Sequence, residues 1–225
     1  MPLKDFAVKA ARPLPVIILA DTSGSMSVDG KIEALNQSLR DMVKSFAAES
    51  RLRGEIHLGV ITFGGSATAH LPLTPAHSIQ DIQEFVAVGG TPMGAAMEIA
   101  CEIIEDRELI PTRAYRPILV LVSDGHPTDD WQIPFKALLT SERAAKATRI
   151  ALAIGHDADE SMLTEFANDL EAPLFHANNA AEIVRFFRAV TMSVATYSRS
   201  GDTNQRLKLD YRRIVSSDDD PLADF

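Results

Sequence analysis

The sequence has little cysteine, fewer basic than acidic residues and no long apolar run, and each shortage excludes a class of protein. A single cysteine, Cys101, allows no disulfide within the chain, which favours a reducing compartment. The 22 basic and 31 acidic residues give a net charge of −9, which argues against binding nucleic acid through its phosphates. The longest apolar runs, 16–20 and 118–122, have five residues each, whereas a membrane span needs about twenty. We therefore expect a cytoplasmic protein with no transmembrane segment and no nucleic-acid partner.

The length of 225 residues and the hydrophobic content of 46% suit one large globular domain. We expect a short leader over 1–12, the domain over 13–199 and a polar, acidic C-terminal tail over 200–225. The tail ends in SSDDDPLADF, and its four aspartates are typical of a solvated segment. Docking of this tail on a partner is the alternative.

Short apolar runs alternate with helical patterns along the chain, which predicts an α/β fold. The predicted strands are 14–20, 55–63, 67–71, 116–123, 149–154 and 173–176. The predicted helices are one over 32–46 with Asp29 as its N-cap, one over 78–85, one that begins after Thr91, and others over 131–146, 160–170 and 180–197. These elements predict a doubly wound, mostly parallel sheet with one antiparallel edge strand and helices on both faces. Such sheets bind their ligands at the carboxyl ends of the strands.

Three polar motifs border these predicted core elements: DTSGS at 21–25, GGTP at 89–92 and SDG at 123–125. Each motif alone is also explained by an ordinary turn or helix cap. Together they offer two carboxylates and three hydroxyls, the oxygen donors that hard divalent cations prefer. The predicted metal ligands are Asp21, Ser23, Ser25, Thr91 and Asp124.

Two carboxylates would leave a bound Mg²⁺, or Mn²⁺ or Ca²⁺, about neutral and with an open coordination position. A carboxylate from another protein would be attracted to that position. The motifs therefore predict a recognition site in which the ion bridges this chain and an Asp or Glu of a partner.

A magnesium-dependent phosphoester hydrolase is the main alternative, because a metal at a strand end can activate water or clamp phosphate. Phosphatases of the haloacid-dehalogenase type need a second Asp two residues after the first, and this chain has Ser23 there. A phosphate-binding P-loop is also absent, since Gly30-Lys31 is followed by Ile32. We therefore expect a binding module, not an enzyme. A scaffold that no longer uses the ion would not need all five oxygen donors.

Each of the residues just after the SDG motif has two possible roles. His126 is either an ordinary loop histidine or a residue that lines the site. Asp129 and Asp130 form either a polar turn or a rim that selects partners. Trp131 is either a core residue or an interface anchor.

The combination of DTSGS, a Thr after paired glycines and SDG after an apolar strand resembles the metal-ion-dependent adhesion site of von Willebrand factor A domains. The resemblance runs from about residue 14 to 198. It implies a Rossmann-like fold in which the two serines ligate the ion directly. Thr91 and Asp124 would ligate directly or through water, and a partner's Glu or Asp would complete the shell.

Longer stretches, among them PVIILADTSGSM, GGTPMGAAM and VSDGHPTDDW, are similar to small bacterial tellurium-resistance A-domain proteins of the TerY type. This resemblance implies a bacterial cytosolic protein of a tellurium and stress-resistance system. It also implies a PP2C-type phosphatase and a kinase-like protein as partners.

Overall fold

The computed structural model of the protein describes residues 11–49, 52–168, 174–200 and 202–209. The strands are β1 Arg12–Asp21, β2 Gly54–Gly64, β3 Ser66–Pro75, β4 Ile118–Ser123, β5 Thr148–Ile154 and β6 Phe175–Ala177. The α-helices are α1 Lys31–Ala47, α2 Met93–Glu105, α3 Gln132–Thr140, α4 Glu160–Phe166 and α5 Ala180–Ser200. Short 3₁₀ turns cover Gly24–Ser27, Ala76–Ser78 and Ala144–Lys146.

In the described part of the chain the strands form one six-stranded sheet in the order β3-β2-β1-β4-β5-β6. All neighbouring strands are parallel except β3, which pairs antiparallel with β2 at the edge. Gly65 makes the tight turn between these two strands with a φ of +69°, a conformation that favours glycine. The predicted doubly wound sheet with one antiparallel edge is confirmed.

Helices cover both faces of the sheet, and alternate side chains of β1 are buried against the helices on each face. Val16 and Ile18 are buried in one core with residues of α1 and α5. Ile17 and Leu19 are buried in the other core with residues of α2, α3 and α4. A strand buried on both faces needs an unbroken apolar run, which is what this segment has. No helix in the described residues is long and apolar enough to span a membrane.

The predicted helix over 78–85 is wrong. After Ser78 the chain runs without regular helix or strand to Pro92. Side chains of other elements form hydrogen bonds with the backbone N–H and C=O groups of this segment instead. Asn36 of α1 accepts a hydrogen bond from Phe85 N at 2.8 Å and donates one to Phe85 O at 3.0 Å. The buried Ile82 and Phe85 attach this extended segment to the first core.

Other element boundaries differ more modestly from the prediction. The helix predicted over 131–146 ends at Thr140, because Glu105 accepts hydrogen bonds from the backbone N–H groups of Arg143 and Ala144. The N-cap of α1 is Gly30 and not Asp29, and both residues have positive φ.

The helix predicted over 160–170 is seen as α4, and residues 169–170 lie outside the described part. The strand predicted over 173–176 is seen as β6, and residue 173 likewise falls outside it. Leu207 and Leu209 are buried in the first core. Of the predicted leader and tail, residues 1–10, 201 and 210–225 are not among those described, and for these residues both remain predictions.

Candidate metal centre

The first and third motifs lie side by side because β1 and β4 are adjacent parallel strands. The last paired residues are Ala20 and Val122, so Asp21 and Ser123 follow at the same edge. Ser123 Oγ donates a hydrogen bond to Asp21 Oδ2 at 2.5 Å. The sheet topology therefore joins two motifs that are a hundred residues apart in sequence.

Within the DTSGS loop the side chains turn toward one another. Ser23 N donates to Asp21 Oδ1 at 2.8 Å, which folds the loop back over the carboxylate. The hydroxyl oxygens of Ser23 and Ser25 lie 3.0 Å apart. Ser25 Oγ also donates to Asp124 Oδ1 at 2.6 Å. Four of the five predicted ligands thus form one continuous polar cluster.

Thr91 joins this cluster through the space beside Gly125. A Cβ placed on Gly125 would lie 3.8 Å from Thr91 Oγ1 and 3.9 Å from Ser25 Oγ. The hydroxyls of Thr91 and Ser25 therefore both lie next to Gly125. A larger residue at position 125 would contact both of them. The structure brings all five predicted side chains together.

Backbone hydrogen bonds hold the DTSGS loop against the GGTP loop. Gly24 N donates to Gly89 O at 2.9 Å, and Val88 N donates to Thr22 O at 2.8 Å. A Cβ on Gly89 would come within 2.5 Å of Gly65 Cα, and the φ of Gly89 is +70°. Gly89 therefore allows the GGTP loop to approach the turn between β2 and β3 more closely than a side chain would permit.

The chain after SDG fixes the GGTP loop from the other side. Thr91 N donates to Thr128 Oγ1 and Thr128 N donates to Thr91 O, both at 2.9 Å. Asp129 accepts hydrogen bonds from Gly94 N at 3.0 Å and Ala95 N at 2.9 Å. Asp129 therefore caps the first turn of α2, where a negative charge is also favourable for the helix dipole.

The two carboxylates are buried while one hydroxyl remains open to solvent. Asp21 is 0% exposed and Asp124 is 1% exposed, whereas Ser25 is exposed. Burial raises the pKa of the Asp21 carboxyl above its ordinary value, hydrogen bonds from Ser123 and Ser23 lower it, and the nearby Asp124 charge raises it further. A buried carboxylate of this kind is stabilised by a cation placed beside it.

The structure places a cation in the cluster, Lys31, and it lies beside Asp124 and not Asp21. Its Nζ lies 2.8 Å from Asp124 Oδ2 and forms an ion pair with it. Sequence reasoning treated Lys31 only as part of a failed P-loop match, and it did not identify Ser123 as a partner of Asp21. The position of Ser123 directly before Asp124 was a usable signal. Nothing in the sequence joins Lys31 to Asp124.

His126 and Trp131 contact residues outside the ligand cluster. His126 is exposed, and its Nδ1 lies 3.2 Å from Asp159 Oδ2. Trp131 packs on the second core with its ring 5.7 Å from that of Phe135. No group of three or more His, Cys, Asp and Glu side chains among the described residues is placed to hold a metal. A metal site here depends on hydroxyl oxygens as well as carboxylates.

The sheet and its three loops define an α/β protein with an oxygen-lined site at the carboxyl edge of the central strands. A family model of the von Willebrand factor type A domain matches residues 16–189. The chain belongs to this family. No curated protein matches the chain.

Solved structures share the fold at low identity. Proximal thread matrix protein 1 from the mussel byssus matches with a TM-score of 0.66 and 20% identity, over 83% of this chain and 49% of that chain. A second structure of that protein, with a zinc-occupied MIDAS motif (the metal-ion-dependent adhesion site), matches with a TM-score of 0.65 at 20% identity, over 83% of this chain and 48% of that chain. A von Willebrand factor type A protein from Catenulispora acidiphila matches with a TM-score of 0.62 and 20% identity, over 82% of this chain and 43% of that chain. This chain therefore spans about half the length of these proteins or less.

Proposed function

We propose that this chain is a divalent-metal-dependent protein-binding module. Its ligands to the ion would be Asp21, Ser23, Ser25, Thr91 and Asp124. When bound, the ion supplies a Lewis-acidic position that an Asp or Glu of a partner protein can occupy. The observation that carries this proposal is that oxygen atoms from three separate loops lie close together. Ser25, which supplies one of these oxygens, is exposed to solvent.

The donor set supports a hard divalent ion. All five side chains offer oxygen atoms, which Mg²⁺, Mn²⁺ and Ca²⁺ prefer. The hydroxyl oxygens of Ser23 and Ser25 lie 3.0 Å apart, within hydrogen-bond distance of each other. We propose Mg²⁺ as the ion, and competition between Mg²⁺, Mn²⁺ and Ca²⁺ tests this choice. Zn²⁺ occupies the corresponding motif in the mussel protein and belongs in the same competition experiment.

The surroundings of the site favour binding over hydrolysis. Asp21 accepts hydrogen bonds from Ser123 and Ser23, and Asp124 accepts from Ser25 and Lys31. Both carboxylates are thus already engaged, and neither is placed as a free general base. The exposed Gly24 and Ser25 present the loop at the surface, where a side chain of another protein can reach it.

The biological setting rests on the longer sequence resemblances. We place the protein in the cytoplasm of a bacterium, in a tellurium and stress-resistance system of the TerY type. A PP2C-type phosphatase and a kinase-like protein are the proposed partners. The stretches that support this setting surround all three ligand motifs and extend into the helices that follow them.

Affinity capture tests the proposed function. Purified wild type and an Asp21→Ala variant would be used as baits, each with Mg²⁺ and with EDTA, and Asp41→Ala would serve as the control because Asp41 is exposed on α1, outside the three loops. We expect a partner that is retained by wild type and the control in Mg²⁺ and lost from Asp21→Ala and in EDTA. A partner retained by wild type and by Asp21→Ala alike, in Mg²⁺ and in EDTA, would show that recognition does not use the site.

A further inference from the structure

The ammonium of Lys31 is part of the candidate metal centre in the structure. Lys31 is the first residue of α1, and its side chain reaches across to the end of β4. Its Nζ lies 2.8 Å from Asp124 Oδ2, and the exposed fractions of the two side chains are 16% and 0%. A Cβ on Gly155 would lie 3.8 Å from the same Nζ. The ammonium is therefore held between Asp124 and the chain that follows β5.

Lys31 changes the charge of the site from that expected on the basis of the two carboxylates. Asp124 accepts a hydrogen bond on each oxygen, from Ser25 on Oδ1 and from Lys31 on Oδ2. With Asp21 ionised, the two carboxylates and the ammonium leave one net negative charge. A divalent ion would bring the site to one net positive charge, where the sequence alone predicted approximate neutrality.

We propose that Lys31 weakens metal binding and strengthens the capture of a carboxylate by the loaded site. This inference rests on the proposed function, since it concerns the same ion and the same ligand class. The ammonium repels the dication and already neutralises part of the charge on Asp124, which lowers metal affinity. The same positive charge remains next to the open position after loading and attracts the carboxylate of the partner.

The two effects have opposite signs, which distinguishes them from simple damage to the site. A residue that only held Asp124 in place would weaken both steps when it was replaced. A charge effect would strengthen the first step and weaken the second. Lys31→Met removes the charge and keeps the length of the side chain, and Lys31→Arg keeps the charge as the matched control.

The first experiment is calorimetric titration of Mn²⁺ into metal-free wild type, Lys31→Met and Lys31→Arg. We expect Lys31→Met to bind Mn²⁺ about tenfold more tightly, since a unit charge about 6 Å from a dication has that effect even at the dielectric constant of water. Lys31→Arg should stay close to wild type. Equal or weaker binding by Lys31→Met would overturn the inference.

The second experiment measures acetate binding to the Mn²⁺-loaded proteins through the relaxation of the acetate methyl protons, with acetamide as the neutral control. We expect acetate to bind Lys31→Met about threefold more weakly than wild type. Unchanged or tighter acetate binding would contradict the role in capture.

Circular dichroism and melting in EDTA establish that each variant is folded, and Lys31→Gln replaces Lys31→Met if the latter is not. Wild type that binds no Mn²⁺ would refute the proposed function and this inference together. Wild type that binds Mn²⁺, with no gain in Lys31→Met, would refute the inference alone.

Discussion

Replacing Asp21 by Asn should stabilise the metal-free protein and abolish its response to metal. Asp21 is fully buried, and burial raises the pKa of its carboxyl, so the charged form is less favourable in the metal-free fold than in the unfolded chain. Asn keeps the shape and can keep both hydrogen bonds, accepting from Ser23 N and donating to Ser123 Oγ. It removes the buried charge and its repulsion by Asp124.

The gain in stability of the metal-free Asp21→Asn variant follows from two opposing contributions to the free energy of unfolding. Burial of an ion costs several kcal/mol, and hydrogen bonds to a charged group, here from Ser123 and Ser23, contribute about 1.5–3 kcal/mol each. These contributions nearly cancel, and the raised pKa of Asp21 indicates that the burial penalty is the larger. A net penalty of about 1 kcal/mol corresponds to a rise of about 2–4 °C in Tm for a domain of this size. Wild type at a hundredfold excess of Mg²⁺ over its Kd gains about 2.7 kcal/mol, or roughly 5–10 °C.

Differential scanning calorimetry of both proteins, with EDTA and with Mg²⁺, gives the comparison. We expect the order of Tm to reverse: the variant melts higher in EDTA, and wild type melts higher in Mg²⁺. Asp130→Asn, which removes an exposed aspartate, should follow wild type in both buffers. A variant that still gains stability from Mg²⁺, or that melts below wild type in EDTA, would refute the reasoning.

Three further predictions concern pH and packing. The protonated Asp21 stabilises the metal-free protein below its unfolded pKa, and this contribution is lost as pH rises through the raised folded pKa. The advantage of Asp21→Asn in urea unfolding should therefore grow from about pH 4 upward, and Mn²⁺ affinity should fall as pH is lowered. Gly89→Ala should cost about 1–3 kcal/mol, because its φ of +70° is unfavourable for alanine and its Cβ would meet Gly65 Cα at 2.5 Å. Tyr197→Phe should cost about 1 kcal/mol in the same assay, because the Tyr197 hydroxyl donates to Gln205 O; no loss would show that this bond adds nothing.

The sheet could be predicted because its strands are buried on both faces. Each of β1 and β4 has an apolar run that neither a surface helix nor a loop would carry, and polar residues directly after it mark the strand end. The mostly parallel arrangement also followed from the general rule that strands joined by helices form parallel pairs. What mattered for the site was that two such strands end side by side.

The segment after Ser78 shows where sequence reasoning failed. Ile79, Ile82 and Phe85 recur every three residues, which is close to helical spacing and suggested a helix. In the structure the backbone at Phe85 is bonded by the Asn36 side chain of α1, and Gln83 O lies 3.0 Å from His70 Nε2 of β3. These partners come from distant parts of the chain, so no local pattern could have indicated them.

The residues of the candidate metal centre also fall into two groups, those that local motifs predict and those that only contacts between elements reveal. The five proposed ligands lie in short motifs that can be read locally, and the structure brings them together. The residues that set their charge and position do so through contacts between elements, as Lys31 does with Asp124 and Asp129 does with the start of α2. Sequence reasoning identified the oxygen donors and missed the groups that tune them.

The central claim is that three loops supply oxygen ligands to one divalent ion, and anomalous diffraction from crystals of the protein grown with Mn²⁺ tests it directly. We expect one strong Mn²⁺ peak about 2.2 Å from the hydroxyl oxygens of Ser23 and Ser25, with Asp21, Thr91 and Asp124 around it. A peak bound by other residues, or none at this edge of the sheet at millimolar Mn²⁺, would contradict it.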